Sequence, residues 1–135
     1  IHTRANMLRA VMEGVSYSLS DCNDILKEMG IDVEQMMACG GGGKSPVWRQ
    51  MLADMYECSV KTVAQTEGPA LGVAILAGVG CGLYESVEAA CEALICEDKS
   101  TEPDAEKSEK YKQYHQLYKK LYEDLKGSYK ILAGL

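Results

Sequence analysis

The segment Ala38-Cys39-Gly40-Gly41-Gly42-Gly43-Lys44-Ser45-Pro46-Val47-Trp48 contains four consecutive glycines, and we call its residues 40–45 the glycine segment. Glycine adds no side chain to a core and loses the most backbone freedom on ordering, so such a run is typical of backbone that turns sharply and approaches another group closely. Before it, Glu34–Cys39 is an apolar run of strand length. After it, Ser45 and Pro46 predict an N-cap and the first residue of a helix.

A strand, a glycine turn and a helix start in succession predict a phosphate-binding site, because unpaired N–H groups and the positive end of a helix dipole meet there. Two alternatives remain open. A P-loop requires G-x-x-x-x-G-K-[ST], and Gly43-Lys44-Ser45 supplies its end, but Ala38 stands where the first glycine is needed. No later apolar strand ends in an Asp placed to hold magnesium. The other alternative is a plain glycine-rich turn without a ligand.

Composition excludes several function classes. The 135 residues are 47% apolar and 25% charged, which is ordinary for one globular domain, and the net charge is −6. No basic stripe is present, so nucleic acid is not an expected partner. No apolar run approaches the length of a membrane span and no signal peptide opens the chain, so we expect a cytoplasmic protein without a membrane partner.

The cysteines and histidines predict neither disulfides nor a metal site. No two cysteines form a C-x-x-C pair, and they stand singly among apolar residues, as small buried side chains do in a reducing compartment. His2 and His115 lie near opposite ends of the chain, so no metal ligand is assigned. The six cysteines are Cys22, Cys39, Cys58, Cys81, Cys91 and Cys96.

Periodicity outside the glycine segment predicts alternating helices and strands. The first helix is expected to place Leu8, Val11, Met12, Val15 and Leu19 on one apolar face. The residues from Glu97 to Asp104 are polar and are expected to form a connection. The other predicted elements are a strand over Cys58–Ala64 and helices from Val47 to about Tyr56, over Ala70–Gly80, over Val87–Leu94 and over about Glu106–Lys126, with Trp48 as a core anchor and the tyrosine-rich face of the last helix packed on the domain.

Several segments resemble the C-terminal domain of the FGGY carbohydrate kinases, and their order covers nearly the whole chain. The run Leu8–Val15 looks like the helix that enters that domain. The run Gly41–Gln50, with Ala53-Asp54, resembles its adenosine-binding segment, and Glu67–Ala77 resembles the helix that closes the same half-domain. The run Glu102-Pro103-Asp104 and the helix after it look most like the xylulokinase branch.

The resemblance implies an α/β fold, the actin-like ATPase (ribonuclease H-like) half-domain, with a mixed sheet flanked by helices. Residues 1–135 would be the C-terminal nucleotide-binding portion of a two-domain sugar kinase, which looks like a fragment because the N-terminal sugar-binding domain is absent. The implied reaction is phosphoryl transfer from ATP with Mg²⁺ to a sugar hydroxyl, with D-xylulose giving xylulose 5-phosphate. The implied partners are ATP or ADP, the sugar through the missing domain, and a second copy in a homodimer.

Carried over residue by residue, the resemblance assigns the nucleotide site to the glycine segment. Gly41, Gly42 and Gly43 would let backbone approach the nucleotide phosphates, and Ser45 would lie beside the adenine or ribose. Lys44 would meet a phosphate or remain solvated, while Gln50 and Asp54 would be structural. No catalytic residue is assigned, because the catalytic Asp of such kinases lies outside this chain. The alternatives of another class are a P-loop-like nucleotide switch and a non-catalytic actin-like binding module.

Overall fold

A computed structural model describes residues 2–64 and 68–135. Glu67, which begins one of the segments that carry the resemblance, lies outside the described residues. The elements in chain order are α1 (Arg4–Glu28), β1 (Gln35–Met37), α2 (Gly40–Lys44), α3 (Pro46–Tyr56), β2 (Ser59–Val63), α4 (Gly68–Gly80), α5 (Val87–Leu94), β3 (Glu97–Thr101) and α6 (Ala105–Leu132).

The three strands form one mixed sheet in the order β1-β2-β3, as the resemblance implies. β1 and β2 are parallel, with Met36 opposite Val60, and β2 and β3 are antiparallel, with Val60 opposite Thr101. The expected polar connection after residue 96 was wrong, because Glu97–Thr101 is a strand. Its side chains are polar and mostly exposed, so backbone pairing along the free edge of β2, rather than an apolar pattern, determines this element.

Helix α1 packs through a face that overlaps only partly with the expected one. Thr3 caps it, and its side chain accepts a hydrogen bond from the Asn6 N–H. Most of the expected apolar face is exposed, with Val11 67% and Leu19 47% exposed, whereas Met12 packs against the core. The residues of α1 that are buried are Ser16, Tyr17, Ser20 and Asn23. Small hydroxyl side chains allow close approach to α3, and the Trp48 Nε1–H donates to the Ser16 hydroxyl at 3.0 Å.

The core lies where α1, α3 and α6 meet. Met51 is 2% exposed, and Tyr17 and Tyr111 are each 7% exposed. The Tyr17 ring stacks on His115 with centroids 5.5 Å apart. Trp48 packs against this cluster, which confirms it as a core anchor. The expected packing of the last helix holds for its first half, where Tyr111 and Tyr118 contact the core, whereas Leu117, Leu121 and Leu125 are 41–52% exposed.

The cysteines are free, as predicted, but the expectation that they are buried was wrong. Cys58 alone is buried, and burial raises the pKa of its thiol. Cys91 is half-buried and the other four are exposed. Cys39, Cys81 and Cys96 lie between helices and strands, and Cys22 lies on an exposed part of α1, so apolar neighbours in sequence do not shield these thiols. Within the described residues, the helices are too short or too polar to span a bilayer.

Candidate functional site

The glycine segment is helical rather than an open turn. Residues Gly40–Lys44 wind into the short helix α2, so the expected glycine turn is corrected to one helical turn after β1. Ser45 then takes an extended conformation and begins α3, and its hydroxyl accepts a hydrogen bond from the Trp48 N–H at 3.3 Å. Pro46 occupies the first helical position. The N-cap and helix start predicted from Ser45-Pro46 are therefore confirmed.

Two glycines of this segment face the protein, and we call them the inner side. A Cβ added at Gly43 would lie 2.5 Å from the Ala38 carbonyl oxygen, closer than real Cβ atoms approach backbone, so only glycine fits. A Cβ added at Gly42 would lie 3.3 Å from Cε3 of the Trp48 ring. The inner side therefore serves close packing of α2 on β1 and α3.

The other two glycines, Gly40 and Gly41, are exposed and form the outer side. A Cβ added at either position would meet nothing within 4 Å. Gly40 has a φ of +70°, which other residues adopt only with strain, whereas Gly41 has no such restriction. Nothing in the described residues requires glycine at Gly41, so its bare backbone is free to approach a ligand.

A cavity of about 170 Å³ lies beside the glycine segment, at the carboxyl ends of the parallel strands β1 and β2. Open α/β sheets bind their ligands at this edge. Thr62 is 7% exposed, and among the described residues its hydroxyl has no hydrogen-bond partner. The cavity is lined by Ala38, Cys39, Gly40, Gly43, Lys44, Arg49, Thr62, Val63, Ala64, Asp98 and Lys99.

A larger, mainly apolar cavity of about 540 Å³ lies on the other side of the segment. Gly42 and Gly43 line it together with Trp48, Met36 and Val60. Cavities of this size with apolar walls suit a flat ring better than a charged group. The glycine segment thus separates a polar cavity from an apolar one.

The five residues predicted for the site lie together, because they are consecutive. Lys44 is exposed and lines the polar cavity. Ser45 is half-buried, and its hydroxyl oxygen accepts from the α3 backbone while its own proton remains available to donate. Whether these residues bind a nucleotide stays a prediction, together with the role of Gly41, Gly42 and Gly43.

Gln50 and Asp54 hold the junction between β3 and α6. Asp54 is 2% exposed and accepts hydrogen bonds from Gln50 Nε2 at 2.8 Å and from the Asp104 N–H at 2.9 Å. Gln50 also donates to the Glu102 carbonyl at 3.0 Å. The Lys107 ammonium and the first N–H groups of α6 hold the pKa of the Asp104 carboxyl below its usual range. The geometry therefore matches the structural role predicted for Gln50 and Asp54.

Arg49 was not predicted as part of the site. Its guanidinium is buried, and Nη1 donates to the Gly43 carbonyl at 2.6 Å. The sequence holds no local signal for this role, since Arg49 stands beside the polar Gln50 between Trp48 and Met51. A buried cation needs partners, and here one partner is the glycine segment itself.

The residues around the polar cavity do not fit a magnesium site. Its one carboxylate among the described lining residues is Asp98, which lies 3.9 Å from the Lys99 ammonium, whereas Mg²⁺ requires six oxygen ligands in octahedral geometry. A separate group joins α1 and α6, where His115 Nε2 lies 2.7 Å from Asp21 Oδ1. There the Lys119 ammonium donates to Asp24 at 2.5 Å, so these side chains already satisfy one another without a metal.

Comparison with known proteins identifies relatives over most of the chain. Residues 2–81 match the model of the FGGY family of carbohydrate kinases, C-terminal domain. A xylulose kinase of Staphylococcus epidermidis is 38% identical over 125 residues, which are 93% of this chain and 25% of that protein. An autoinducer-2 kinase of Escherichia coli is 34% identical over 126 residues, which are 92% of this chain and 24% of that protein. The chain thus spans about a quarter of the length of these relatives.

Solved structures of sugar and glycerol kinases agree with the match to the FGGY family. A ligand-bound xylulose kinase from Lactobacillus acidophilus matches with a TM-score of 0.86 and 25% identity, over 97% of this chain and 26% of that chain. A glycerol kinase from Plasmodium falciparum, solved with ADP, matches with a TM-score of 0.72 and 25% identity, over 90% of this chain and 24% of that chain.

Proposed function

This chain belongs to the FGGY family of carbohydrate kinases, and from that premise we propose that it supplies the nucleotide-binding part of an ATP-dependent sugar kinase. The observation that carries the proposal is the outer side of the glycine segment. There Gly41 exposes backbone with open space around it, in the short helix α2 that follows β1 at the carboxyl ends of two parallel strands. Backbone N–H groups so placed suit the phosphates of a nucleotide.

The chain's own residues would bind and orient the nucleotide. The exposed backbone of Gly40 and Gly41 approaches the phosphates, the Lys44 ammonium adds a positive charge from the polar cavity, and the Ser45 hydroxyl donates to the ribose or adenine. Phosphoryl transfer depends mainly on positioning and on neutralising charge, so these contacts would contribute without supplying a general base. Magnesium, when bound with ATP, supplies further neutralisation of the phosphates.

The remainder of the reaction is assigned to polypeptide outside these 135 residues. We propose that a second domain there binds the sugar and carries the catalytic Asp, which would make the present chain the C-terminal nucleotide-binding portion. D-Xylulose is the proposed substrate, and xylulose 5-phosphate the product, because xylulose kinases are among the most similar relatives. The match to autoinducer-2 kinase makes a panel of substrates the proper test of this choice.

The P-loop hypothesis gives way to this proposal. Residue 38 lacks the glycine that a P-loop needs, the glycine segment is helical, and the family match includes it. No observation favours a non-catalytic binding module over a kinase.

The test is a steady-state assay of the complete kinase polypeptide that carries this chain, with ATP and a panel of ketoses, polyols and the autoinducer-2 sugar. We expect D-xylulose to give the highest kcat/KM and ADP to inhibit competitively with ATP. A higher kcat/KM for another sugar would show that D-xylulose is not the preferred substrate but would leave the proposed kinase activity in place. If no member of the panel accelerates ADP formation, the proposed activity is wrong.

A further inference from the structure

Arg49 is a buried cation that connects two parts of the fold. It is 7% exposed, and charged side chains are rarely buried to this extent unless they are partnered. Its Nη1 donates to the Gly43 carbonyl at 2.6 Å, and its Nε donates to the Thr101 hydroxyl at 3.5 Å. These two bonds join the inner side of the glycine segment to the end of β3.

The Gly43 carbonyl needs an external donor. Carbonyl groups in the last turn of a helix lack partners within that helix, and α2 is so short that this applies to most of its residues. Ser45 donates its N–H to the Gly42 carbonyl at 3.1 Å and then turns into extended backbone. Arg49 supplies the donor for the Gly43 carbonyl, and a hydrogen bond from a charged group is stronger than one from a neutral group.

The hydrogen bond between Arg49 and the Gly43 carbonyl also fixes the direction in which the N–H groups of the outer glycines point. Gly43 is pressed against the Ala38 carbonyl, so α2 has little freedom to rotate while Arg49 holds its end. Since Gly40 and Gly41 belong to the same helical turn, fixing Gly43 fixes where their N–H groups point. Loss of the bond would leave the Gly43 carbonyl without this donor and the end of α2 held only by its link through Ser45 to α3 and its contact with Ala38.

We propose that Arg49 is a positioning residue for nucleotide binding, which holds the Gly43 carbonyl so that the outer glycines face the nucleotide. The proposal rests on the proposed function of the glycine segment. It also makes that segment depend on Thr101, which lies beyond the residues 2–81 that match the family model. The β3 strand is then part of the support of the site, although it lies outside the matched region.

Gln50 provides a matched control, because it is the next residue of α3. Its Nε2 donates to Asp54 and to the Glu102 carbonyl, so it ties α3 to the same junction after β3. Among residues 2–64 and 68–135, its side-chain hydrogen bonds do not reach the glycine segment. A variant of Gln50 therefore loosens the junction without releasing the Gly43 carbonyl.

The test compares Arg49→Met, Arg49→Lys and Gln50→Met in the full chain. Methionine keeps the apolar length of arginine without a donor, and lysine keeps the charge with a single donating group. Calorimetric titration with ADP and Mg²⁺ gives Kd, thermal melting gives Tm, and amide exchange reports residues 43–45. We expect Arg49→Met to weaken ADP binding by about 10- to 100-fold and to accelerate exchange at residues 43–45. Arg49→Lys should recover part of the ADP affinity and part of the protection from exchange at residues 43–45. Gln50→Met should lower Tm and leave Kd unchanged.

Two results would overturn the proposal. One is a folded Arg49→Met protein with wild-type Kd and wild-type exchange at residues 43–45. The other is an equal loss of ADP affinity in Gln50→Met at an equal loss of Tm, which would mean that Arg49 acts only through stability. If Arg49→Met does not fold, Arg49→Lys is judged by the same two criteria. A wild-type chain that binds no ADP contradicts the proposed function instead, and amide exchange then decides alone whether Arg49 positions the segment.

Discussion

The inner and outer sides of the glycine segment use the same residue type for different purposes. On the inner side, Gly43 and Gly42 lie against the Ala38 carbonyl and the Trp48 ring, so a side chain would collide with the protein. On the outer side, a Cβ at Gly40 or Gly41 would meet open space. Packing explains the inner pair, but it does not explain Gly41. The comparison teaches that substitutions on the two sides should affect different measurements, with folding on one side and ligand binding on the other.

The largest effect is expected from Gly43→Ala. The new Cβ would lie 2.5 Å from the Ala38 oxygen, and because the contacted atom is backbone it has little room to move. We expect the free energy of unfolding to fall by about 3 kcal/mol, at the upper end for overpacking. Urea denaturation followed by circular dichroism measures it. An unchanged unfolding midpoint would show that α2 is not held against β1 and would remove the distinction between the two sides.

A smaller loss is expected from Gly42→Ala, where the Cβ would lie 3.3 Å from the Trp48 ring. The ring must shift slightly, so we expect a loss of about 1 kcal/mol. The chain contains one tryptophan, so the intrinsic fluorescence reports this ring directly. A changed emission maximum in the folded variant would confirm the contact, whereas unchanged emission and stability would place Gly42 with the outer glycines. A bulkier residue at Gly42 would displace the Trp48 ring and destabilise the fold, so it is a poor probe of nucleotide binding.

The rate of thiol labelling reports on ligand binding at the outer side without a mutation. Cys39 is exposed and directly precedes Gly40, whereas Cys81 is exposed beyond the end of α4 and Cys58 is buried. We expect ADP with Mg²⁺ to slow labelling of Cys39 several-fold and to leave Cys81 unchanged, as read by mass spectrometry. Equal protection of both cysteines, or of neither, would argue against a ligand at the outer side.

The pH dependence of the same labelling separates the buried thiol from the exposed ones. Burial raises the pKa of Cys58, and the thiolate is the reactive form, so its labelling should begin at higher pH than that of an unburied thiol. A carboxylate paired with a cation has a lowered pKa in the folded state and stabilises the fold as pH rises, whereas the raised pKa of Cys58 acts in the opposite direction. Above the ordinary thiol pKa the unfolded chain releases this proton while the folded chain retains it, so the contribution of Cys58 to stability falls as pH rises through this range. A Cys58→Ala variant should lose this part of the alkaline dependence.

The sequence predicted local features well and long-range packing poorly. Ser45 and Pro46 specify a helix start through their own bonds, so that start was confirmed. The buried face of α1 depends instead on which residues meet α3, and there Ser16 and Tyr17 pack while Val11 stays exposed. An apolar period alone does not show which face of a helix meets a partner.

Two elements of the site could not be predicted because no local signal defines them. β3 has the polar sequence of a connection, and its pairing with β2 is established only in the folded sheet. Arg49 reads as an ordinary exposed charge until the fold brings the Gly43 carbonyl and Thr101 to it. The glycine run itself was recognisable, but its division into an inner and an outer side depends on the neighbours that α2 meets.

The most direct test of the account is the affinity of the chain for ADP with Mg²⁺ in the wild type, Gly41→Ala and Gly14→Ala, measured by calorimetry. Gly14 is a matched control, since it is also a helical glycine whose added Cβ would meet nothing within 4 Å. We expect both variants to fold with stability within about 1 kcal/mol of the wild type, as for helical glycine-to-alanine changes. The account predicts that Gly41→Ala weakens ADP binding at least about tenfold, a change of about 1.4 kcal/mol, while Gly14→Ala binds as the wild type does. Equal affinity of Gly41→Ala and the wild type would contradict it and would place the nucleotide away from the outer side of the glycine segment.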